Sequence, residues 1–171
     1  HDTNMYNGYV LTGEEIKLEM ELMKKFNVNS IRTSHYPPDP TLLTLADLMG
    51  FYIIDEADIE THGAGDITVP YDNCLISDDP KWANRYVDRV ARMYCRDRNH
   101  PSITMWSLGN EAWGYYCQDK CYDYLKAQGT KIPVHYESVV HTKRFAYDVI
   151  SEMYPSHENV AKYGSQTHKD K

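Results

Sequence analysis

Residues 103–114 read ITMWSLGNEAWG. The apolar run Ile103 to Leu108 suits a buried strand, which breaks at Gly109 and delivers Asn110 and Glu111 side by side. A carboxylate at the edge of a core costs free energy unless something holds it. Glu111 is therefore the first candidate for chemistry, as a group that gives and takes a proton; the competing reading is a buried carboxylate paired with an arginine. Glu60 and His62 form an E-x-H pair in a loop, two donor types that bind divalent cations, and a pair that loops also carry without a metal. His35, in TSHY, either caps a strand through backbone hydrogen bonds or faces a ligand.

The elements that must position these residues follow from periodicity and punctuation. Thr12 and Glu15 fit a capping box opening a helix with an Ile16, Met20, Met23 stripe. Asp39-Pro40 and Asp79-Pro80 are two further helix starts, the first helix stopping at Gly50. Further helices are expected near Cys117–Gln128 and His157–Tyr163. Apolar runs predict strands at Val28–Ser34, Phe51–Glu56, Ser102–Leu108, Pro133–Glu137 and Asp148–Met153. Alternating strands and helices imply a parallel sheet, and no glycine-rich phosphate turn follows any strand. The stretch between Glu137 and Asp148 is short for a helical crossover.

The strands end in polar residues: Thr33, Ser34, His35 and Tyr36; Asp55, Glu56, Asp58, Glu60 and His62; Asn110 and Glu111; Tyr136 and Glu137; Glu152 and Tyr154. Convergence at one end is what a (β/α)8 barrel provides at its catalytic face, so the fold expected is α/β, a partial TIM barrel formed by one domain over residues 1–171. Asp55 and Glu56 either join that face or pair with Arg32 and other cations, and Arg96 to Asn99 read as a turn network at the far end.

Composition narrows the function classes. A net charge of −7 with scattered basic residues argues against a nucleic-acid surface, and no apolar run is long enough to span a membrane. The four cysteines show no framework spacing and are expected to be ordinary thiols. Fifteen tyrosines suit a cleft for polar ring-shaped ligands and equally suit a core. The chain opens on His1 with no signal-like segment, which points to the cytoplasm and to processing or a longer parent.

Together SHYPP (34–38), IIDEADIETHG (53–63), RDRNHPSITMWSLGNE (96–111), YES (136–138) and EMY (152–154) resemble the catalytic domain of glycoside hydrolase family 2, its β-galactosidase branch above all. The resemblance implies that Glu111 is the general acid/base of a retaining hydrolase acting on terminal β-galactosides or oligosaccharides. It implies that Asn110 contacts the sugar near its 2-hydroxyl, that His35 and His1 bind sugar hydroxyls, and that Tyr154 lies near the nucleophile. Glu60, His62 and Glu111 match the ligands of a magnesium ion. Asp58 replaces the usual Asn, and Ala-Trp-Gly follows Glu111, so Trp113 is either a stacking wall for the leaving group or a core residue.

Within the family barrel these residues correspond to strands two to six. The first, seventh and eighth are missing, and so is the C-E-Y-type motif of the nucleophile. A chain without it is expected to be inactive alone and to self-associate through open sheet edges. Other readings are a β-glucuronidase or mannosidase relative, a metal-dependent hydrolase built on Glu60 and His62, and a non-catalytic carbohydrate-binding scaffold.

Overall fold

The computed structural model describes residues 3–64, 76–139 and 147–165. Four parallel strands form one sheet in the order of the chain: β1 (Ser30–Arg32), β2 (Tyr52–Glu56), β3 (Ile103–Ser107) and β4 (Val134–His135). Helix α1 (Gly13–Lys25) precedes β1, and α2 (Pro40–Met49), α3 (Ala83–Asp97) and α4 (Tyr116–Ala127) lie in the three crossovers, with α5 (His157–Ser165) last. A sheet wound in one direction, strand beside next strand, is the local geometry of a (β/α) barrel; a doubly wound sheet reverses its order.

The helix starts behave as their chemistry requires. Thr12 Oγ1 accepts from the Glu15 N–H at 3.3 Å, and the Glu15 carboxylate accepts from the Thr12 N–H at 2.7 Å, closing the capping box of α1. Asp39 accepts from the Thr41 N–H at 2.7 Å ahead of Pro40, and α2 ends on Gly50 in the left-handed region. Asp79-Pro80 opens one 3-10 turn, Pro80–Trp82, before α3 begins. Tyr86, Val90, Met93 and Asp97 then form the buried stripe of α3.

Strand alternation divides the sheet into two unlike faces. Ile53, Trp106 and Val134 point to one side, where they form a single buried cluster with Leu43, Ala46, Val90, Cys121 and Leu125 from the helices. Registers Arg32↔Ile54, Glu56↔Ser107 and Ser107↔His135 put Arg32, Glu56, Ser107 and His135 together on the other side. The sheet is therefore apolar toward its helices and polar toward what would be the lumen of a barrel.

Asp55 is the exception on the apolar side. It lies fully buried beside Asp97, whose carboxylate holds both Nε and Nη2 of Arg96 at 2.6 and 2.8 Å. Burial first, and the Asp97 charge second, raise its proton affinity far above the ordinary carboxylate range. Arg96 also donates to the Pro38 carbonyl at 2.9 Å, so Arg96 and Asp97 tie the last turn of α3 to the segment ahead of α2.

Two expectations are corrected. The strand expected at Asp148–Met153 does not form. Asp148 donates its N–H to the Val134 carbonyl at 3.1 Å, but its carboxylate accepts the Val134 N–H at 2.9 Å. A side chain thus takes the donor that a fifth strand's carbonyl would need, and Lys126 and Tyr122 hold that carboxylate in place. The Pro133–Glu137 strand is also shorter than expected, because Glu137 already opens a 3-10 turn, Glu137–Val139. Residues 140–146, where a helix was doubted, lie outside the described residues.

Asp55 generates a prediction. Between about pH 4, where an unfolded Asp loses its proton, and its raised folded value, the native state binds one proton more than the unfolded state. Stability must fall as pH rises across that window, by up to about 1.4 kcal/mol per pH unit. Asp55→Asn removes this slope, which urea denaturation from about pH 5 to pH 7 measures; an unchanged slope would assign it to another group.

Candidate active site

The polar face is organised around Glu56, whose side chain has no solvent exposure. Arg32 donates Nε to Oε2 at 2.7 Å and Nη2 to Oε1 at 3.1 Å. His35 Nδ1 reaches Oε1 at 2.7 Å, and Ser107 Oγ donates to Oε2 at 2.6 Å. Burial alone would raise the proton affinity of Glu56; the Arg32 fork, with Ser107 and His35, more than offsets it and holds the carboxyl below its usual value.

The network continues through β4. Ser107 gives its proton to Glu56, so it must accept from His135 Nδ1 at 2.9 Å, which makes His135 Nε2 the acceptor for Ser151 Oγ at 3.0 Å. Burial, then Arg32, push His135 down to about 4, consistent with this neutral tautomer. Sequence reasoning passed over His135, a lone histidine in an apolar run with no partner at recognisable spacing.

Arg32 also carries the network outward. Its Nη2 donates to Asn110 Oδ1 at 3.1 Å, fixing the amide so that Nδ2 faces Glu60 Oε2 and Glu111 Oε2, both at 3.4 Å. Asn110 is aligned by its backbone too: its N–H donates to the Ile59 carbonyl at 2.9 Å, in a parallel bridge between Glu60 and Asn110. Gly109 permits that approach, since at its φ of +112° a Cβ would sit 2.3 Å from Ile59 O.

Glu111 follows at φ +21°. Its Oε2 lies 3.3 Å from His62 Nδ1 and its backbone N–H donates to Glu137 Oε2 at 3.0 Å. One donor atom each from Glu60, His62 and Glu111 lie within 4.8 Å of one another. The His62 ring stands edge-on to Trp113, with centroids 5.0 Å apart.

The structure thus brings Asn110, Glu111, Glu60, His62 and Trp113 to one rim, and His35 to the same rim through Glu56. Tyr154 has a side chain that is 92 % exposed, in a segment that forms no strand among the described residues. His1 lies outside the described residues. Among the described residues no helix is long and apolar enough to cross a membrane.

Comparison with known proteins agrees with this fold. Residues 1–171 match the family profile described as "Glycosyl hydrolases family 2, TIM barrel domain". A beta-galactosidase of Pectobacterium atrosepticum is 42 % identical over 154 residues, 90 % of this chain and 14 % of that protein. One from Arthrobacter sp. is 45 % identical over 137 residues, 80 % of this chain and 13 % of that protein. Among solved structures, a Ruminococcus gnavus beta-glucuronidase superposes with a TM-score of 0.64 at 26 % identity, covering 78 % of this chain and 24 % of that one. A beta-glucuronidase from an uncultured Clostridium sp. shares the fold with a TM-score of 0.71 at 24 % identity, over 89 % of this chain and 27 % of that one. The chain spans about a seventh of the length of the beta-galactosidases it matches.

Glu56→Gln keeps the shape of this hub and removes its charge. Breaking a buried ion pair of this kind costs about 3 kcal/mol, at the low end of the usual range because Arg32 is a third exposed. The expected result is a matching fall in urea midpoint at neutral pH that shrinks as pH drops through the folded value of Glu56, where the wild-type carboxyl also becomes neutral.

Proposed function

The chain belongs to glycosyl hydrolase family 2, and from that premise we propose that it is the acid/base-bearing part of a retaining β-galactosidase acting on terminal β-D-galactosides or oligosaccharides. The observation that carries this reading is the single rim on which Glu111 meets Asn110, Glu60 and His62. Sequence kinship with beta-galactosidases at 42–45 % identity supports the galactoside over a glucuronide, the substrate class named for structural neighbours that are 24–31 % identical.

In this mechanism Glu111 protonates the departing glycosidic oxygen and later deprotonates water. Asn110, with Oδ1 held by Arg32, presents Nδ2 toward the reacting sugar. His35 gives Nδ1–H to the Glu56 carboxylate, so in the neutral ring Nε2 is left as an acceptor for a sugar hydroxyl. Trp113, braced against His62, offers an apolar face on the leaving-group side. The second carboxylate of the retaining pair is not assigned to any residue here, and the 171 residues alone are expected to show no turnover.

Glu60, His62 and Glu111 suit magnesium: two hard carboxylate oxygens and one imidazole nitrogen converge, with exposure that leaves room for its waters. When bound, the cation supplies positive charge that favours the ionised form of the neighbouring carboxylate.

Two measurements test the reading. Glu111→Gln in the whole protein should lower kcat/KM on an unactivated β-galactoside by about 100-fold or more; full activity would remove Glu111 from the mechanism. Calorimetric titration of the chain with Mn2+ as a magnesium probe should give one site that Glu60→Ala abolishes, and saturable binding unaffected by that change would place the metal elsewhere.

A further inference from the structure

A second carboxylate lies directly behind the acid/base. Glu137 stands just past β4, only 4 % exposed, and its Oε2 accepts the backbone N–H of Glu111 at 3.0 Å. Burying an ionisable group at that position is costly, and a hydrophobic residue would fill the space without the cost. The peptide it holds is unusual too. Glu111 has φ +21°, a value that a residue with a side chain adopts only when its surroundings dictate it.

Neighbouring contacts fix the same stretch from other directions. The Asn110 N–H is held by the Ile59 carbonyl. The Ala112 carbonyl accepts from Ser77 Oγ at 2.7 Å and from Thr61 Oγ1 at 3.2 Å. The Glu111 N–H completes the set, and Glu137 is the one charged group in it. Its charge makes this the strongest of these backbone anchors.

We propose that Glu137 is a positioning residue for acid/base catalysis, clamping the Glu111 peptide so that the Glu111 carboxylate aims at the glycosidic oxygen. The assignment rests on Glu111 being the acid/base. Glu137 itself touches no reacting atom. It fixes where the Cα–Cβ bond of Glu111 points, and a proton donor displaced by an ångström loses much of its effect.

The test exploits what a misaimed acid does and a generally damaged protein does not. A leaving group of high basicity needs the proton as the bond breaks, whereas a dinitrophenolate leaves without it. In the whole protein, Glu137→Ala should lower kcat/KM on an alkyl β-galactoside by about 100-fold while lowering it far less on the dinitrophenyl galactoside. Because both substrates are read on one preparation, partial unfolding cancels in their ratio. Glu137→Gln retains an acceptor oxygen and should recover all but about tenfold of the alkyl rate. Glu111→Gln is the reference. If it shows the leaving-group dependence and Glu137→Ala lowers both substrates equally, the positioning role is wrong and the acid/base reading stands. If Glu111→Gln itself shows no such dependence, both fall together. Amide hydrogen exchange on the chain gives a readout independent of activity: the Glu111 N–H should be protected in the wild type and exchange much faster in Glu137→Ala. Unchanged protection would overturn the clamp.

Discussion

The polar side of this sheet exists because one buried carboxylate is fully satisfied. Glu56 has no solvent exposure, yet four donors from three residues converge on its two oxygens. Remove that satisfaction and the face would carry an uncompensated buried carboxyl, at a cost of about 3 kcal/mol or more. With it, β1, β2 and β3 are tied across their polar face, and Arg32 gains a fixed orientation from which its remaining reach goes to Asn110. The placement of Asn110 is thus inherited from Glu56, and His35 hangs from the same carboxylate. Structural electrostatics and site geometry are one network here.

How much of this could be read in the sequence depended on range. Local chemistry was legible: the Thr12–Glu15 capping box, Asp39-Pro40 and the stripe of α3 specify their elements within a turn or two. Strand order was legible because apolar runs alternating with helical periods leave few topologies. The fifth strand failed for a non-local reason. Val149 and Ile150 have the apolar look of a strand, but Asp148 inserts its carboxylate into the ladder at Val134 and ends the pairing before it starts. No pattern within residues 148–153 announces that.

The site divides the same way. Asn110, Glu111, Glu60 and His62 were recognisable as motif residues, because their spacing relative to strand ends is fixed by the rim they share. His135 and Glu137 were not assigned, since their roles come from what β4 faces across the sheet. A histidine whose neutral form relays between Ser107 and Ser151 looks, in sequence, like any histidine in a strand. Alternation nevertheless carried a usable signal: the register that puts Arg32, Glu56 and Ser107 on one face puts His135 there as well.

The contrast between Glu56 and Glu111 shows why the two carboxylates are anchored differently. Glu56 is held through its oxygens by short, charge-assisted bonds, and those bonds stabilise its ionised form. A group that must hand over a proton and take it back is poorly served by several short hydrogen bonds on its oxygens, because each favours one protonation state over the other. Around Glu111 the strong contacts therefore move to the backbone. Asn110 Nδ2 and His62 Nδ1 stand 3.4 and 3.3 Å from its carboxylate, whereas its N–H is gripped at 3.0 Å and the next carbonyl at 2.7 Å. Position is fixed through the peptide, and the contacts on the carboxylate itself are the longer ones, which leaves it open to the cation site it shares with Glu60 and His62. A buried acid behind a catalytic one is costly to fold around, and fixing the peptide that carries the catalytic carboxylate is a physical reason for keeping it.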